Sequence, residues 1–348
     1  MKNMYKILSI LIVSISYFSI SKAQEIPSSF ADLAERLMPS VVNISTTTTV
    51  TTRSNPLPFE FPPGSPFEDM FGSPQQRQTS ALGSGFIIDE EGIVITNNHV
   101  IQGASDIFVR VNGDEDYKAE VLGADAGMDI AVLKIKSDEK FKPVKFGNSD
   151  KSRIGDWVIA IGNPFGLGGT VTAGIISARN RSIGLSRYED YIQTDASINQ
   201  GNSGGPLFNM NGDVIGINTA ILGQSGSIGI GFAIPSNSAQ KVIEQLIEFG
   251  ETKRGWLGVR IQVVDQGIAD AEKLDKPRGA LVASVADNSP SDKGGIKPGD
   301  IILEFDGKPI NEMKELPKIV AETDVGKKVI VKVWRNKREI TKEIILGR

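Results

Sequence analysis

The sequence predicts a mainly β protein in two units, a larger one built of short strands and a smaller α+β unit after it. Short runs rich in Val and Ile recur along the chain and are separated by Gly, Asn and Asp, which is typical of strands joined by turns. Glycine is abundant, at 37 residues. A length of 348 residues suits two domains of roughly 100–200 residues each.

The composition excludes several classes of function. Hydrophobic residues make up 40% of the chain, enough for a packed core, and the net charge of −4 gives no electrostatic case for nucleic acid as a partner. The absence of cysteine rules out disulfides, zinc thiolate sites and a cysteine nucleophile. A single histidine rules out a multi-histidine metal site. We therefore expect no metal and no cofactor.

The N-terminus has the pattern of an export signal. Lys2 and Lys6 precede an apolar run over residues 7–20, and small residues follow within 21–23. The run is shorter than the roughly 20 residues that span a bilayer, so the pattern favours a cleaved signal peptide over residues 1–23. An uncleaved membrane anchor is the alternative. Either way, the folded part is expected outside the cytoplasm.

The first elements after the signal are an amphipathic helix over residues 29–37, ended by Pro39, and a strand over 41–45. Residues 46–80 then hold six prolines with phenylalanines between them, and this density of proline predicts a long loop without regular structure. A solvated insertion is the alternative, but disordered segments are poor in aromatic residues.

Ten further strands and one helix complete the larger unit. Gly250 is expected to end the helix, over residues 236–249, and Ser236 or Asn237 to cap its start. Many short strands of this kind indicate a barrel or a sandwich. The predicted strands are residues 85–88, 93–96, 107–111, 118–122, 130–135, 157–161, 170–176, 191–194, 214–220 and 229–233.

The smaller unit follows a charged connection at residues 251–254. It spans about 95 residues, which is enough for a small α+β domain. Strands are predicted near 257–262, 280–285, 300–305 and 328–334, and helices near 291–294 and 312–322.

The stretch Gly-Asn-Ser-Gly-Gly-Pro-Leu at residues 201–207 is the strongest chemical signal. A serine hydroxyl attacks an amide only with a base to take its proton and with donors to hold the oxyanion. Glycines around Ser203 let the backbone turn tightly and direct its N–H groups at one point. We expect Gly201 and Ser203, with Asn202 as a third candidate, to form an oxyanion hole. The alternative is a glycine-rich hairpin turn.

A serine nucleophile needs a base, and imidazole is the usual one. His99 follows the strand 93–96 and is the single histidine, so it must be that base in a Ser-His-Asp site. Lysine is the alternative in a Ser-Lys site. Asp129, at the head of a strongly apolar strand, is the preferred third member, whereas Asp125 is interpreted as turn chemistry. The order His99, Asp129, Ser203 is that of the chymotrypsin-like double β-barrel.

These motifs together resemble the HtrA/Deg-type serine proteases. The resemblance covers most of residues 27–250 and extends into the smaller unit, which is similar to the PDZ domain of that family. The matching stretches are Leu-Gly-Ser-Gly at 82–85, Thr-Asn-Asn-His-Val at 96–100, Asp-Ile-Ala-Val-Leu-Lys at 129–134, Ile-Gly-Asn-Pro-Phe-Gly at 161–166, Thr-Asp-Ala at 194–196, residues 201–207, Gly-Ile-Gly-Phe-Ala-Ile-Pro at 229–235, Arg-Gly-Trp-Leu-Gly-Val at 254–259 and residues 289–302.

The resemblance implies a trypsin-like serine protease domain over residues 24–250 and a PDZ domain over 254–348. It implies a PDZ-regulated, ATP-independent endopeptidase of the bacterial periplasm, a homotrimer or a multiple of one, acting through an acyl-enzyme on misfolded or stress-signalling envelope proteins. Residues 46–80 match the family's regulatory loop, and residues 177–188 match its signal-relaying loop. A single PDZ domain argues against a large cage and leaves open the chaperone-protease and regulatory subgroups.

Two binding sites follow from the same resemblance. Ile198, Ile228 and Ile230 match the apolar substrate pocket, and Asp195 is interpreted as structural. C-terminal peptides are expected to add a strand beside Val259, with the carboxylate on backbone N–H groups near Trp256, Leu257 and Gly258. A mere packing domain is the alternative for the smaller unit. A non-enzymatic holdase or scaffold is the alternative for the whole chain.

Overall fold

The computed structural model describes residues 27–52, 75–113, 115–164, 169–184, 188–199, 201–221 and 229–348. The predicted signal peptide, the centre of the predicted loop and Ile228 lie outside these ranges. Among the described residues, no helix has the length and apolar character needed to cross a membrane.

Six antiparallel strands form a first closed barrel, preceded by helix α1 (Ala31–Leu37). Alternate side chains point inward, and Ile44, Val94 and Leu133 are fully buried in its interior. The strands are β1 (Val41–Thr52), β2 (Gln75–Ile87), β3 (Ile93–Thr96), β4 (Asp106–Val111), β5 (Glu115–Asp125) and β6 (Ile130–Ile135), and the short helix α2 (Asn98–Ile101) follows β3. Around the barrel they are arranged β1-β2-β3-β6-β5-β4.

The prediction of a loop over residues 46–80 is wrong at both ends. Strands β1 and β2 continue into this segment and pair from Thr46 opposite Ala81 to Thr52 opposite Gln75. The first seven residues of the segment are mostly threonine, which is β-branched and favours strands, whereas the prolines begin only at Pro56. The proline-rich part, residues 53–74, lies outside the described ranges.

A second closed barrel follows the first. Its interior holds a cluster of fully buried side chains that includes Val158, Leu207 and Ile215. Strand β10 was not predicted, because its first two residues were assigned to the glycine-rich stretch. The strands are β7 (Trp157–Gly162), β8 (Thr170–Arg181), β9 (Tyr191–Thr194), β10 (Pro206–Asn209), β11 (Val214–Ile221) and β12 (Gly231–Pro235), arranged β10-β11-β12-β9-β8-β7.

The two barrels share one apolar core. Phe86 of the first barrel lies in the same buried cluster as Phe208 of the second, and Ile130 and Val132 of β6 belong to it as well. Apolar surface buried between the barrels holds them against each other. The segments that follow β3 and precede β6 and β10 meet along this junction, where they bring polar residues of both barrels together.

Helix α3 (Ser236–Phe249) packs on both barrels and contributes Leu246 to the shared core. Gly250 ends α3 in a left-handed conformation, as predicted. Ser236 does not cap the start of α3 by a side-chain bond within the helix. Its hydroxyl instead donates to the carbonyl of Gly147 at 2.7 Å, so it ties the helix to the segment before β7.

The C-terminal domain is a twisted antiparallel sheet with three short helices. Leu257, Phe305 and Val331 are buried in its core. Asp300 is almost fully buried and accepts two hydrogen bonds from Arg335, at 2.6 and 2.7 Å. Its elements are β13 (Val259–Val263), α4 (Gln266–Glu272), β14 (Ala280–Val285), α5 (Pro290–Lys293), β15 (Ile301–Phe305), β16 (Lys308–Pro309), α6 (Glu315–Ala321), β17 (Lys328–Arg335) and β18 (Arg338–Ile345).

The sheet of this domain has the order β13-β14-β15-β17-β18, with β16 paired to β15. Strand β13 is therefore an edge strand, with one side open to receive a further strand. The sequence did not predict α4, β16 or β18. The predicted fold class is confirmed: the protein is mainly β, with two chymotrypsin-like six-stranded barrels followed by a small α+β domain.

Candidate active site

His99 and Asp129 are in direct contact at one end of the first barrel. His99 lies on α2, just after β3, and Asp129 lies just before β6. One carboxylate oxygen of Asp129 is 2.7 Å from Nδ1 of His99, and the other accepts the backbone N–H of His99 at 2.9 Å. A ring that donates from Nδ1 to a carboxylate keeps the lone pair on Nε2, so His99 is oriented to accept a proton there.

The backbone and side chain of Asp129 are held by two residues, Asn97 and Thr219, to which the sequence assigned no role. The backbone φ of Asp129 is +56°, a left-handed conformation that aspartate tolerates better than most residues. The side chain of Asn97 donates to the Asp129 carbonyl at 2.8 Å. The Thr219 hydroxyl, from β11 of the second barrel, donates to the Asp129 carboxylate at 2.7 Å. No local pattern marks Thr219, because 90 positions separate it from its partner.

Ser203 lies in the tight turn of residues 201–205, which we call the nucleophile loop. Gly201 and Gly204 have φ values of +103° and +83°, which only glycine adopts readily. A Cβ added to Gly204 would lie 2.3 Å from Oγ1 of Thr96 and 3.0 Å from the nitrogen of Asn97. The nucleophile loop therefore packs directly against the segment that leads into His99.

The structure forms no hydrogen bond between the hydroxyl of Ser203 and the ring of His99, both of which lie in the described part of the chain. Bonds of this kind are often long in a protease without substrate and shorten when substrate binds. The observed arrangement thus has the base already oriented by Asp129, with the final contact to the serine still to be made.

The backbone N–H groups of the three predicted oxyanion residues differ in their hydrogen bonds. The N–H of Asn202 donates to the carbonyl of Asn199 at 3.2 Å, so it is not available to an oxyanion in this conformation. The N–H groups of Gly201 and Ser203 donate to no other residue within the described ranges. As far as the described residues go, these two groups are available to bind a developing negative charge.

The predicted substrate-pocket residues have different environments. Ile198 is fully buried in the core of the second barrel, where a Cβ added to Gly231 would lie 2.4 Å from its Cγ1. It presents no surface to a substrate in this conformation. Ile230 is partly buried, and Ile228 lies outside the described residues. Asp195 accepts the backbone N–H of Ile175 at 2.7 Å, in agreement with the structural role expected of it.

The predicted peptide-binding residues of the C-terminal domain line one groove, a cavity of about 490 Å³. Leu257 is buried and Val259 half-buried, whereas Trp256 is 45% exposed. The N–H groups of Leu257 and Gly258 donate to no other residue in the part of the chain that the structure describes. Helix α6 forms the opposite wall, with Leu316 among its apolar residues. An apolar groove that ends in free backbone donors suits a peptide carboxylate.

A residue of the second barrel also lines this groove. Tyr188 borders the cavity beside Trp256, and its ring lies 4.5 Å from the guanidinium carbon of Arg254. Two residues later, Asp190 forms an ion pair with Lys318 of α6.

The same segment is sensed by the electrostatics of the active site. Burial, together with the negative charges of Glu189 and Asp129, raises the pKa of Tyr191 to about 12. The segment that touches the groove therefore also runs close to Asp129.

Asp125 joins the first barrel to the connection between domains. It is 3% exposed, and Arg254 donates to its two oxygens at 2.5 and 2.8 Å. Burial raises the pKa of Asp125, but hydrogen bonds from Arg254 and Thr252 and the charge of Arg254 outweigh it and hold the pKa below its ordinary value. Its carboxylate also accepts the N–H of Met128 at 2.7 Å, which agrees with the predicted turn chemistry.

Comparison with known proteins gives the same division of the chain. A family model of the trypsin-like peptidase domain matches residues 83–217, and one of the PDZ domain matches residues 255–346. A probable periplasmic serine endoprotease, DegP-like, of Marinomonas sp. (strain MWYL1) is 48% identical over 332 residues, covering 91% of this chain and 71% of the relative. Its counterpart in Hahella chejuensis is 44% identical over 327 residues, covering 91% and 70%.

Solved structures are similar over nearly the whole chain. The HtrA-type protease AlgW with decapeptide has 41% sequence identity and a TM-score of 0.76, covering 92% of this chain and 98% of that chain. The serine endoprotease from Yersinia pestis has 35% identity and a TM-score of 0.66, covering 93% and 99%. In this chain a trypsin-like peptidase domain is followed by one PDZ domain. With relatives of this identity and coverage, the chain belongs to the HtrA-type family of serine endoproteases, which are hydrolases.

Proposed function

We propose that this endoprotease cleaves peptide bonds through a Ser203–His99–Asp129 triad and an acyl-enzyme. The observation that carries the proposal is the contact of 2.7 Å between Nδ1 of His99 and the Asp129 carboxylate. It orients Nε2 of His99 as a proton acceptor, which a serine nucleophile requires. Thr219 of the second barrel donates to the same carboxylate, so residues of both barrels hold Asp129.

In the first half of the reaction, Nε2 of His99 takes the hydroxyl proton of Ser203 while Oγ bonds to the scissile carbonyl carbon. The oxyanion formed is bound by the N–H groups of Gly201 and Ser203, which donate to no other described residue. His99 then gives its proton to the leaving amine. In the second half, water takes the place of Ser203 as the attacking group, and the acyl-enzyme is hydrolysed.

We propose that C-terminal peptides bound to the PDZ groove regulate this reaction. Tyr188 lines the groove, and Asp190 is paired with Lys318 of the groove helix α6. A peptide placed between β13 and α6 would therefore contact or displace residues of the peptidase domain. No step of the proposed reaction consumes ATP. The apolar substrate pocket predicted from Ile198, Ile228 and Ile230 belongs to the same proposal, although Ile198 would have to become exposed before it could touch a substrate.

The proposed setting is the periplasm, with misfolded or stress-signalling envelope proteins as substrates and a homotrimer, or a multiple of it, as the assembly. Relatives named periplasmic endoproteases support the location. The proposed boundaries are a signal over residues 1–23, a peptidase domain over 24–250 and a PDZ domain over 254–348. Mass spectrometry of the mature N-terminus and light scattering test the processing and the assembly.

Ser203→Ala provides the central test. We expect it to abolish cleavage of unfolded casein while the thermal unfolding midpoint stays close to that of the wild type. A fluorophosphonate should label Ser203 in the wild type. Cleavage at the wild-type rate by Ser203→Ala would refute the proposed nucleophile. Absence of labelling in the wild type under every activating condition would favour a holdase or scaffold.

A further inference from the structure

Ser84 lies on β2 of the first barrel and reaches across to the nucleophile loop of the second. It is fully buried. Its backbone N–H donates to the carbonyl of Ser203 at 3.0 Å, and its hydroxyl donates to the carbonyl of Gly201 at 2.5 Å. A single residue of the first barrel thus binds the carbonyls of both residues whose N–H groups are the proposed oxyanion donors.

The direction of the Ser84 hydroxyl is determined by its surroundings. The backbone N–H of Asn163, which follows β7, donates to the hydroxyl oxygen at 2.7 Å. Because this bond occupies one lone pair of the hydroxyl oxygen, the hydroxyl proton points at the carbonyl of Gly201. The carbonyl of Ser84 accepts the hydroxyl of Thr96 at 2.7 Å, three residues before His99. Ser84 therefore connects the segment that leads to the base with the loop that carries the nucleophile.

Three glycines leave the space that Ser84 occupies. A Cβ added to Gly162 would lie 3.1 Å from the Ser84 hydroxyl oxygen, and one on Gly205 would lie 3.3 Å from the Ser84 Cβ. A Cβ on Gly204 would lie 2.3 Å from the Ser84 carbonyl oxygen. Because the hydroxyl is enclosed so closely, it has little freedom to leave the Gly201 carbonyl for another partner.

The bond to Gly201 constrains the oxyanion donors through the geometry of the peptide. A peptide unit is planar, and its C=O and N–H point in opposite directions. With the Gly201 carbonyl held towards Ser84, the N–H of Asn202 points away from Ser84, where it donates to Asn199. The carbonyl and the N–H of Gly201 share one Cα, so holding the carbonyl also limits the directions open to that N–H.

We propose that Ser84 is a positioning residue for the oxyanion hole, acting through its hydroxyl on the Gly201 peptide. The inference rests on the proposed function, since it assigns Ser84 to the reaction of Ser203. Ser84 touches neither substrate nor the reacting atoms. Its contribution is to keep the Gly201 and Ser203 donors aligned, which matters most in the transition state.

The test compares Ser84→Ala with a matched control, Ser236→Ala. Ser236 is likewise fully buried and donates to a backbone carbonyl, that of Gly147 at 2.7 Å, but it lies at the start of α3, away from the nucleophile loop. Both variants lose one buried hydroxyl-to-carbonyl bond, and Ser84→Ala also removes the acceptor of the Asn163 N–H. We therefore expect the thermal unfolding midpoint, measured by circular dichroism on the full chain, to fall in both variants and to fall further in Ser84→Ala.

The kinetic constants for an internally quenched peptide separate the two variants. In Ser84→Ala we expect kcat to fall on the order of tenfold to a hundredfold, with KM within about twofold, because oxyanion donors act in the transition state. The rate constant for fluorophosphonate labelling should fall with kcat. Ser236→Ala should keep the wild-type kcat. Equal kcat in the two variants, or a loss confined to KM, would overturn the inference.

Two further measurements keep the outcome decisive. If Ser84→Ala does not fold, Ser84→Cys retains a weak donor in nearly the same volume. Its kcat should then lie well below that of the wild type, and an unchanged kcat would overturn the inference. Wild type and Ser203→Ala are assayed alongside. If the wild type does not cleave, the proposed function fails, whereas cleavage by the wild type with an unaffected Ser84→Ala refutes the role of Ser84 alone.

Discussion

Asp125, four residues before Asp129, forms a buried ion pair with Arg254, which donates two hydrogen bonds to it at 2.5 and 2.8 Å. Arg254 immediately precedes the residues that match the PDZ domain, so the pair connects that domain to the turn that leads to Asp129. The turn is also closed by the bond from the N–H of Met128 to Asp125. The geometry of Asp129 therefore depends on a contact made between domains.

Arg254→Ala should be strongly destabilising. It leaves the carboxylate of Asp125, whose side chain is 2% exposed, without its cationic partner. Loss of one partner from a buried pair costs about 3–5 kcal/mol, and we expect about 3 kcal/mol because Thr252 and Met128 still donate to Asp125. Urea unfolding measures the loss. Arg110→Ala, which breaks an exposed pair with Asp116, serves as the control and should leave the midpoint nearly unchanged.

Asp125 should also make stability depend on pH in the acid range. Its folded-state pKa lies below the unfolded value of about 3.9, so its contribution is complete above that value and is lost as pH falls through the folded-state pKa. The difference in unfolding free energy between wild type and Asp125→Asn should be constant above about pH 5 and should shrink below about pH 4. A difference that grows towards acid pH would contradict this assignment.

Thr219→Val should lower kcat with little change in KM. The substitution keeps the shape of the side chain and removes the hydroxyl that donates to the Asp129 carboxylate at 2.7 Å. A hydrogen bond to a charged group contributes about 1.5–3 kcal/mol, so a loss of roughly tenfold to a hundredfold in kcat is expected. Thr323→Val removes a hydroxyl that donates to the Ile319 carbonyl of α6, away from the active site. An equal kcat in the two variants would exclude the role assigned to Thr219.

Gly258→Ala should prevent peptides from binding to the PDZ groove. Gly258 has a φ of +80°, and an added Cβ would lie 2.2 Å from the Cβ of Ser289. Gly307 has the same φ of +80° with nothing within 4 Å of an added Cβ. Gly307→Ala therefore carries the same backbone strain without the clash. Isothermal titration with a peptide that has an apolar C-terminus should show binding to Gly307→Ala and no binding to Gly258→Ala.

Lys318→Glu should weaken the response of cleavage to such peptides. It replaces the ion pair between Lys318 and Asp190 with two like charges at the contact between α6 and the peptidase domain. The ratio of cleavage rates with and without saturating peptide measures the effect. Asp190→Lys combined with Lys318→Glu restores opposite charges and should recover part of the ratio. Unchanged ratios in the single variant would show that this pair does not carry the signal.

The sequence predicted the strands best where apolar residues run without interruption between clear turn signals. Strands β3 and β6, which are mostly apolar, were predicted with the bounds that the structure has, and so was the more polar β9. The segment 46–52 was missed because nearby prolines suggested a loop, although its threonines favour the strand that forms. Strand β18 mixes charged and apolar residues and gains its partner, β17, only from the folded sheet.

Some residues of the candidate site were likewise predicted from the sequence, and others were not. His99 was identified because the chain holds no other histidine, and Asp129 because it heads a strongly apolar strand. Thr219 had no comparable signal, and Ser84 stood in a stretch that resembles the family, residues 82–85, without any role being indicated. The hydrogen-bond partners of these two residues lie 90 and 117 positions away. Their contribution depends on how the two barrels pack together, which local patterns do not encode.

The candidate site is divided between the two barrels, so it is complete only in a molecule whose barrels have packed together. His99 and Asp129 belong to the first barrel, and Ser203 and Thr219 to the second. If the proposed triad is correct, a copy whose barrels have formed but not yet packed together has the proposed base and the proposed nucleophile apart from each other. The proposal then requires that a molecule cuts other chains only after its own two barrels have packed together.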